Sequence, residues 1–513
     1  MPKINHFTYL GKTGFDNEKY LNAQSDAIIE RASKFDKLYL EFGGKLIFDY
    51  HAARVLPGYH LNGKIEVIRR LAAKRPVEFL LCINARDIQS GRKMGALGIN
   101  YRDFSLKMID SIKEYGFEVP GVCINLFSGE PAAKELGSFL KKQGYNVYYR
   151  GLIEGYPENF KKIASPAGFG KKPFIKTNKP IVIVTGAGPN SGKLATCLTL
   201  VYQDYLGGKD SGYAKMESFP VWNLPLDSPV NVAYEAATAD IADYNLIDPF
   251  HLKAYGVKAV NYNRDVAAFP IIHKMLNAIV SPSNFMLNYK SPTDMGVNHV
   301  GKAIANLEIC EKAARQEIIR RYFNYCSDSL SGTGKEEAAE IVEKLMKKHK
   351  IRATERQVVG EAREAAEKSK EGMKLKVGCA IMLQSGEIVT GKNSPMMHAE
   401  SAAILNALKK MAGVPKADNV LVPTSIHQIR KMRKKMYAEE SENLNISEVL
   451  MLLAINANEG NGAEKAFSCL EKLNSCELHT THVLSRDDQA ALRALGVNYT
   501  SDGKMELGRL YIG

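Results

Sequence analysis

A glycine-rich segment that ends in a lysine has the residue types and spacing of a phosphate-binding turn. The segment GAGPNSGKLAT spans Gly186–Thr196 and follows the apolar run PIVIVT at Pro180–Thr185. A strand, a glycine-rich turn, a lysine and then a helix form a cradle for phosphate, because backbone N–H groups and the helix dipole attract anions. The candidate cofactor-binding residues of this turn are Gly186, Gly188, Asn190, Ser191, Gly192, Lys193 and Thr196.

The segment departs from the full P-loop pattern G-x-x-x-x-G-K-[ST] at two positions. Ala187 stands where the first glycine belongs, and Leu194 stands where a hydroxyl would hold Mg²⁺. Thr196 or Ser191 can supply a hydroxyl only in a different geometry. The pattern therefore favours an anion cradle, with a nucleotide and Mg²⁺ as the expected cofactor class. The alternative is a tight turn whose glycines only let helix and sheet pack.

Acidic residues in the string AYEAATADIADYNLIDPFH are the candidates for metal ligands or general bases near the cradle. They are Asp240, Asp243 and Asp248, and Asp265 and Asp294 are the next candidates along the chain. Acidic groups in loops are commonly only solvated, so their proximity to the cradle has to be tested by structure.

A second chemical pattern lies in MMHAES at Met396–Ser401. It is preceded by two predicted strands, Val377–Leu383 and Glu387–Gly391, and followed by a predicted strand, Asn419–Thr424, and a helix. This layout resembles the cytidine-deaminase fold, and His398 and Glu400 resemble its H-x-E signature. The resemblance implies a zinc ligand at His398 and a proton-transferring carboxylate at Glu400. Both are therefore candidate catalytic residues.

The metal-binding half of that resemblance is incomplete. The deaminase pattern P-C-x-x-C reads PTSIH here, with Thr424 and His427 at the cysteine positions. A catalytic zinc site normally has three protein ligands, and threonine is a poor one. We therefore expect no zinc and assign no metal ligands. The alternative for HAE is a capped helix start, with Ser394 as cap and Pro395 at the first helical position.

Strand and helix patterns alternate through the first two hundred residues. This alternation predicts an α/β fold with a mainly parallel, doubly wound sheet. Predicted strands are Lys37–Phe48 (as one strand or as two pieces), Val77–Asn84, Val119–Phe127, Tyr145–Arg150 and Pro180–Thr185, and Ser211–Asn263 is predicted as a loop region. The predicted domains are a Rossmann-like and P-loop-like domain (1–265), a helical middle region (266–373) and a deaminase-like α/β subdomain (374–513).

Composition limits the class of partner. The 513 residues carry a net charge of +13, which favours acidic partners such as phosphorylated metabolites. Basic and aromatic residues are not interleaved as in nucleic-acid-binding modules, so nucleic acid is not the expected partner. No apolar run is long enough to span a bilayer, and the eight cysteines include no CxxC pair, so a cytoplasmic protein without a membrane partner is expected.

With these regions located, the chain resembles an uncharacterised family of long bacterial cytoplasmic proteins that is classed only as a domain of unknown function. The resemblance covers nearly the whole chain. It rests on strings such as FGGKLIFDYHAARVLPGY (Phe42–Tyr59), GPNSGKLATCL (Gly188–Leu198) and MMHAESAAILNALK (Met396–Lys409). It implies an architecture of nucleotide fold, helical middle and deaminase-like tail, and it implies no catalytic residues.

Two functions remain open from sequence. The first is an enzyme, a transferase or hydrolase, that binds a nucleotide or another phosphorylated small molecule at the degenerate P-loop. The second is a non-catalytic scaffold or ligand sensor with relic sites. Because each half of the chain lacks part of its motif, we expect a cleft that both halves share, or contact across the interface of a homo-oligomer.

Overall fold

The computed structural model describes residues 6–94, 99–156, 158–332, 334, 336–368, 375–437, 443–457 and 462–503. Fifteen strands occur in this part of the chain. Their bounds are β1 Lys37–Phe42, β2 Val77–Asn84, β3 Lys93–Met94, β4 Ile99–Asn100, β5 Gly121–Asn125, β6 Asn146–Arg150, β7 Ile181–Gly186, β8 Ser211–Met216, β9 Asn245–Ile247, β10 Val260–Tyr262, β11 Gly296–Val297, β12 Gly378–Met382, β13 Ile388–Lys392, β14 Glu477–Thr480 and β15 Asn498–Ser501.

Twenty α-helices occur in the same described ranges, and none of them is long and apolar enough to cross a membrane. Their bounds are α1 Asn17–Ala32, α2 Tyr50–Val55, α3 Gly63–Ala72, α4 Ala85–Gln89, α5 Tyr101–Glu114, α6 Pro131–Lys142, α7 Phe160–Ile163, α8 Lys193–Leu206, α9 Pro229–Ala237, α10 Pro249–Tyr255, α11 Asn263–Ile279, α12 Pro292–Met295, α13 Leu307–Leu330, α14 Glu336–Lys348, α15 Gln357–Glu367, α16 Ala399–Met411, α17 Pro423–Tyr437, α18 Ile446–Asn456, α19 Ala463–Phe467 and α20 Arg486–Ala494.

Seven strands form the central sheet in the order β11–β8–β1–β7–β2–β5–β6, and every neighbouring pair is parallel. The strands β1, β7 and β8 are buried along their whole length. Near-continuous apolar runs such as IVIVTG are typical of parallel strands that helices cover on both faces. The predicted α/β class with a parallel, doubly wound sheet is confirmed.

The register brings the carboxyl ends of the central strands to one edge. Glu41 near the end of β1 lies opposite Val184 of β7 on one side and Lys215 of β8 on the other. Cys82 of β2 lies opposite Gly186, the last residue of β7. The segments that follow these strands therefore meet at the same edge.

A second sheet lies in the C-terminal part, in the order β13–β12–β14–β15. The strand β12 is antiparallel to both neighbours, whereas β14 and β15 are parallel. The helices α15 and α16 pack against β12 and β13. Two strand-to-helix junctions, β13 to α16 and β14 to α20, belong to this sheet.

The chain has two large hydrophobic cores. One contains buried residues from Phe7 to Val359, and the other contains buried residues from Val377 to Val497. Helices α11 and α13 of the predicted middle region thus share a core with the central sheet. The domain limits at residues 265 and 373 stay predictions.

A buried ionic network joins the two cores. Glu477 on β14 pairs with Arg356, which precedes α15, and with Arg320 on α13. Arg320 also pairs with Glu317, which is on the same helix. Arg356 is 1% exposed and further donates to the Thr500 hydroxyl and to two backbone carbonyls of the second sheet. Buried charges of this kind are tolerated only when they are paired and hydrogen-bonded.

Two strand predictions were wrong. The region Ser211–Asn263, predicted as loop, contains the strands β8, β9 and β10 and the helices α9 and α10. Its first stretch, Ser211–Met216, forms β8 because ladder pairing with β1 imposes an extended backbone that the composition SGYAKM does not signal. The predicted strand Asn419–Thr424 is absent, since α17 begins at Pro423. The strand that follows α16 in the second sheet is instead β14.

Two element boundaries were also wrong. The predicted strand Lys37–Phe48 ends at Phe42, where Gly43 and Gly44 turn the chain, and Gly44 has a left-handed φ of 67°. The predicted cap Ser394 and first helical position Pro395 lie before the helix, because α16 begins at Ala399 with His398 as its N-cap.

We expect the substitution Arg356→Ala to lower the free energy of unfolding by about 3 kcal/mol or more, because it removes one partner of the buried Glu477 carboxylate. Urea denaturation followed by circular dichroism measures the change. Arg352→Ala is the matched control, since Arg352 is exposed, and its effect should stay within about 0.5 kcal/mol. Equal, small losses for both variants would show that the ion pair does not hold the two cores together.

Candidate functional site

A cleft of about 720 Å³ opens at the carboxyl edge of the central sheet. Its walls come from the segments that follow β1, β2, β5, β6, β7 and β8, and from Lys215 on β8 itself. Ligands of open parallel sheets bind at this edge, because the loops after the strands converge there. The strand order of the sheet thus accounts for the position of the cleft.

The turn between β7 and α8 lines the cleft. Gly192 is the N-cap of α8 and has a left-handed φ of 79°, a conformation that glycine adopts without strain. A Cβ atom on Gly188 would lie 2.7 Å from the Tyr101 ring, so this position has no room for a side chain. Gly192–Ala195, the start of α8, face the cleft, and the first amide groups of a helix attract anions.

Six of the seven predicted cofactor-binding residues line the cleft, namely Gly186, Gly188, Asn190, Ser191, Gly192 and Lys193. Thr196 does not. Its hydroxyl donates to the carbonyl of Gly192 at 2.9 Å and accepts a hydrogen bond from Arg150. Thr196 is therefore used inside the fold, and it does not replace the hydroxyl that is missing at Leu194.

Arg150 lies beneath the first turns of α8. It is the last residue of β6, is 3% exposed, and donates to the Thr196 and Thr199 hydroxyls and to the Ala195 carbonyl. All of these acceptors are neutral, and within the described ranges no carboxylate pairs with Arg150. Its charge therefore adds to the positive potential of the helix start.

The lining of the cleft is more basic than acidic. The basic residues of the lining are Lys45, Arg92, Arg150, Lys172, Lys193, Lys215 and Arg264, and the acidic residues are Glu41, Asp240, Asp243 and Asp265. Lys45 and Lys193 form no ion pair or hydrogen bond with the residues that the structure describes. Burial, and secondarily the nearby Arg321 guanidinium, lowers the pKa of Lys45 to about 8. An excess of unneutralised positive charge in a concave site attracts anionic ligands.

Lys215 is held in a cluster at one side of the cleft. It donates to the Tyr262 hydroxyl and to Asp265, and its amine lies 2.7 Å from the Glu217 carboxylate. Burial alone would lower its pKa, but the Asp265 and Glu217 carboxylates raise it above the usual range. Burial raises the pKa of Glu217 to about 8, despite the opposing charge of Lys215. Lys215 is therefore a fixed cation in this structure.

Two of the three predicted catalytic aspartates lie at the cleft. Asp240 is exposed, and its one hydrogen bond within the described residues comes from the Tyr325 hydroxyl at 3.4 Å. Asp243 is buried and pairs with Arg264, with 2.5 Å between Oδ1 and Nε. Arg264 also donates to Asn190 of the phosphate-like turn at 3.1 Å. Asp240 is thus the aspartate whose carboxylate faces solvent.

Asp248 lies outside the cleft lining. As the N-cap of α10, it accepts the backbone N–H groups of Phe250 and His251, each at 3.0 Å, and the Thr293 hydroxyl at 2.7 Å. Asp294 also lies outside the lining and accepts from the Tyr255 hydroxyl. Of the two further candidates, only Asp265 reaches the cleft.

The other two predicted catalytic residues, His398 and Glu400, lie in the C-terminal part and are buried. The lining of the cleft ends at Ala268, so within the described chain the two predicted sites do not share a cleft. Thr424 and His427 are exposed on α17, whereas Nδ1 of His398 lies 3.2 Å from Asp488. Asp488 was not predicted, because it is ninety residues further along the chain.

Comparison with known proteins agrees with the two-part organisation. The family profile "Domain of unknown function DUF1846, N-terminal" matches residues 13–350, and its C-terminal counterpart matches residues 354–511. The chain belongs to the DUF1846 family. It is 44% identical over 501 residues to UPF0371 proteins of Streptococcus pneumoniae (strain Hungary19A-6) and Streptococcus sanguinis (strain SK36), covering 98% of this chain and 99% of each relative. The predicted family resemblance is confirmed.

Membership of the DUF1846 family assigns no activity, so the geometry of the cleft has to suggest one. Of the seven basic residues in its lining, only Lys193 was among the predicted cofactor-binding residues. Lys45 lies within a predicted strand and Lys215 within a predicted loop, so neither was expected at a ligand site. No sequence pattern singled out Arg264. Arg150 did give a signal, because it ends a predicted strand and parallel strands carry ligand-binding groups at their carboxyl ends.

We expect the amine of Lys45 to react with acylating reagents at a lower pH than an ordinary lysine, because its pKa is about 8 instead of roughly 10.4. Competitive labelling with acetic anhydride between pH 6 and pH 11, read by peptide mass spectrometry, gives the apparent pKa. Lys209, exposed beyond the end of α8, is the matched control. An apparent pKa for Lys45 equal to that of Lys209 would contradict this expectation.

Proposed function

We propose that the protein binds a nucleotide or another phosphorylated small molecule in the cleft at the carboxyl edge of the central sheet. The observation that carries this proposal is the joint position of the start of α8 and of Lys193, which line one cleft. Free amide groups and a lysine without an ion-pair partner in the described chain together favour a phosphate group. In this proposal the phosphate lies against Gly188–Lys193.

The surrounding charges support a ligand with more than one negative charge. Arg150, Lys45 and Lys193 have no carboxylate partner among the described residues, although all three line the cleft. A single phosphate would leave much of this charge unneutralised. A diphosphate or triphosphate group, or a phosphate with a carboxylate, matches the lining better.

The proposed reaction is group transfer or hydrolysis. Asp240 is the proposed general base or Mg²⁺ ligand, since it is exposed and lies in the same cleft as the phosphate-like turn. Oxygen ligands and retained waters suit Mg²⁺, and the side chain of Leu194 has no oxygen to offer. Mg²⁺ would therefore be held through the phosphate and an aspartate, without the Ser or Thr hydroxyl of a standard P-loop. Lys215, fixed by Asp265, is the proposed cation beside the reacting group.

The runner-up is a non-catalytic ligand sensor or scaffold. Its support is that Asp243 is held by Arg264, and Lys215 by carboxylates, which leaves Asp240 as the exposed acid among the three predicted.

We further propose a deaminase-like C-terminal subdomain. The support is an antiparallel strand pair, β12 and β13, followed by the helix α16, whose N-cap is His398. Cytoplasmic location and homo-oligomerisation remain part of the proposal.

We expect Lys193→Ala to weaken the binding of phosphorylated ligands by roughly tenfold or more, which is about the energy of one charge-assisted hydrogen bond. A thermal-shift screen of ATP, GTP, ADP and pyrophosphate, with and without Mg²⁺, identifies a ligand, because a ligand of the native state raises its apparent stability. Isothermal titration calorimetry then compares the variants. Lys209→Ala should bind like wild type. Unchanged affinity in Lys193→Ala would contradict the proposed phosphate site.

We expect Asp240→Asn to slow turnover of the identified ligand by about a hundredfold or more, with affinity changed by less than threefold, since the substitution removes a base or metal ligand but keeps the shape. Phosphorus NMR of the full-length protein with ligand and Mg²⁺ reports the reaction. Asp227→Asn, at an exposed loop position, is the control. Binding without turnover in wild type would favour the sensor.

A further inference from the structure

Three buried side chains of the C-terminal part converge at a point away from the cleft. They are His398, Glu400 and Asp488, and one potential ligand atom of each lies within 4.8 Å of the other two. Nδ1 of His398 is 3.2 Å from Oδ2 of Asp488 and 3.6 Å from Oε1 of Glu400. Each of the three residues is at most 4% exposed.

The fold holds this cluster at the two strand-to-helix junctions of the second sheet. His398 is the N-cap of α16, and Glu400 is in the first turn of that helix. Asp488 is in the first turn of α20, which follows β14. The cluster is therefore built by elements that pack on one sheet, and its geometry is independent of the cleft.

Neighbouring groups fix the orientation of Asp488. The hydroxyl of Ser485, the N-cap of α20, donates to Oδ2 at 2.8 Å. The backbone N–H of Ile446 donates to Oδ1 at 2.8 Å. Hydrogen bonds of this type hold a carboxylate in place for a third group and are a regular feature around metal ligands.

The buried carboxylates of the cluster would be compensated by a cation that lies between its members. The carboxyl groups of Glu400 and Asp488 are both buried, and both lie within 3.6 Å of Nδ1 of His398. Buried carboxylates are tolerated only when they are paired, hydrogen-bonded or bound to a metal ion.

We propose that His398, Glu400 and Asp488 bind a divalent first-row transition-metal ion, for which Zn²⁺ is the reference. An imidazole nitrogen and two carboxylate oxygens are ligands that such ions accept. Ligand atoms about 2.1 Å from a tetrahedral ion lie roughly 3.4 Å apart. The distances of 3.2 Å and 3.6 Å from Nδ1 of His398 bracket that separation.

The site differs from the one that the sequence pattern suggested. The expectation of no zinc depended on Thr424 and His427, which stand at the cysteine positions of the deaminase pattern. Both are exposed on α17, so they are not the partners of the buried His398. The structure supplies Asp488 instead, and it brings Glu400 close enough to His398 to be a ligand.

Metal binding should release protons. Imidazole and carboxylate bind a cation in their deprotonated forms, so protons held by the cluster leave when the ion binds. Calorimetric titration with Zn²⁺ in buffers of different ionisation enthalpy gives the number of protons released.

The test uses full-length protein treated with EDTA and then titrated with Zn²⁺ by calorimetry, and with Co²⁺ by visible absorption. We expect one tightly held ion per chain, proton release on binding, and a Co²⁺ spectrum of nitrogen and oxygen ligands. The near-isosteric variants Glu400→Gln and Asp488→Asn, together with His398→Ala, should each weaken binding at least tenfold. His427→Ala, an exposed histidine, is the matched control and should bind like wild type.

The outcomes separate the metal site from a purely hydrogen-bonded cluster. Circular dichroism establishes that each variant is folded, and the wild-type measurements of stoichiometry and proton release stand even where a variant unfolds. Absence of stoichiometric Zn²⁺ and Co²⁺ binding by wild type at pH 8 would overturn the proposal. Binding that persists unchanged in folded Glu400→Gln, Asp488→Asn and His398→Ala would also overturn it.

Discussion

The central sheet places β7 in the middle of seven parallel strands, and this position determines what meets at the carboxyl edge. The strands β2, β5 and β7 are mostly apolar, as is typical of parallel strands covered by helices, and polar side chains such as Asn84, Asn125 and Arg150 end their strands. The strand β7 lies between β1 and β2, and Gly186 at its end is opposite Cys82 of β2. The turn that follows is thus held rigidly between other strand ends, as a phosphate cradle requires.

A second consequence of this arrangement is that basic side chains from several strands line the same cleft as the start of α8. Arg150 comes from the edge strand β6 and passes beneath the helix, while Lys45 follows β1 and Lys215 belongs to β8. Each of these residues is far from the others in sequence. The positive potential of the cleft is therefore a property of the sheet topology as much as of the glycine-rich turn, and it persists although Leu194 departs from the P-loop pattern.

Sequence patterns predicted the fold well where local and global preferences agree. The strands β2, β5, β6 and β7 and the helix α8 were found because apolar runs and turn residues coincide there. The strand β8 was missed because pairing with β1, and not its own composition, makes it extended. Within the site, the turn was predicted from its spacing, whereas Lys45, Lys215 and Asp488 were missed because only tertiary contacts bring them to their sites. Asp248 was placed near the cradle from sequence proximity, yet it serves as the cap of α10.

The ion pairs of Glu477 have a consequence for how the chain can be divided. Glu477 and Arg356 belong to the segment matched by the C-terminal family profile, whereas Arg320 and Glu317 belong to the N-terminal one. A cut between residues 350 and 354 would expose ionic groups on both new surfaces and leave Arg320 without one of its two carboxylates. The border between the two profiles therefore divides the sequence but does not divide the buried ion pairs into two separate groups. Recombining halves from different relatives would require that their buried ions match as a set.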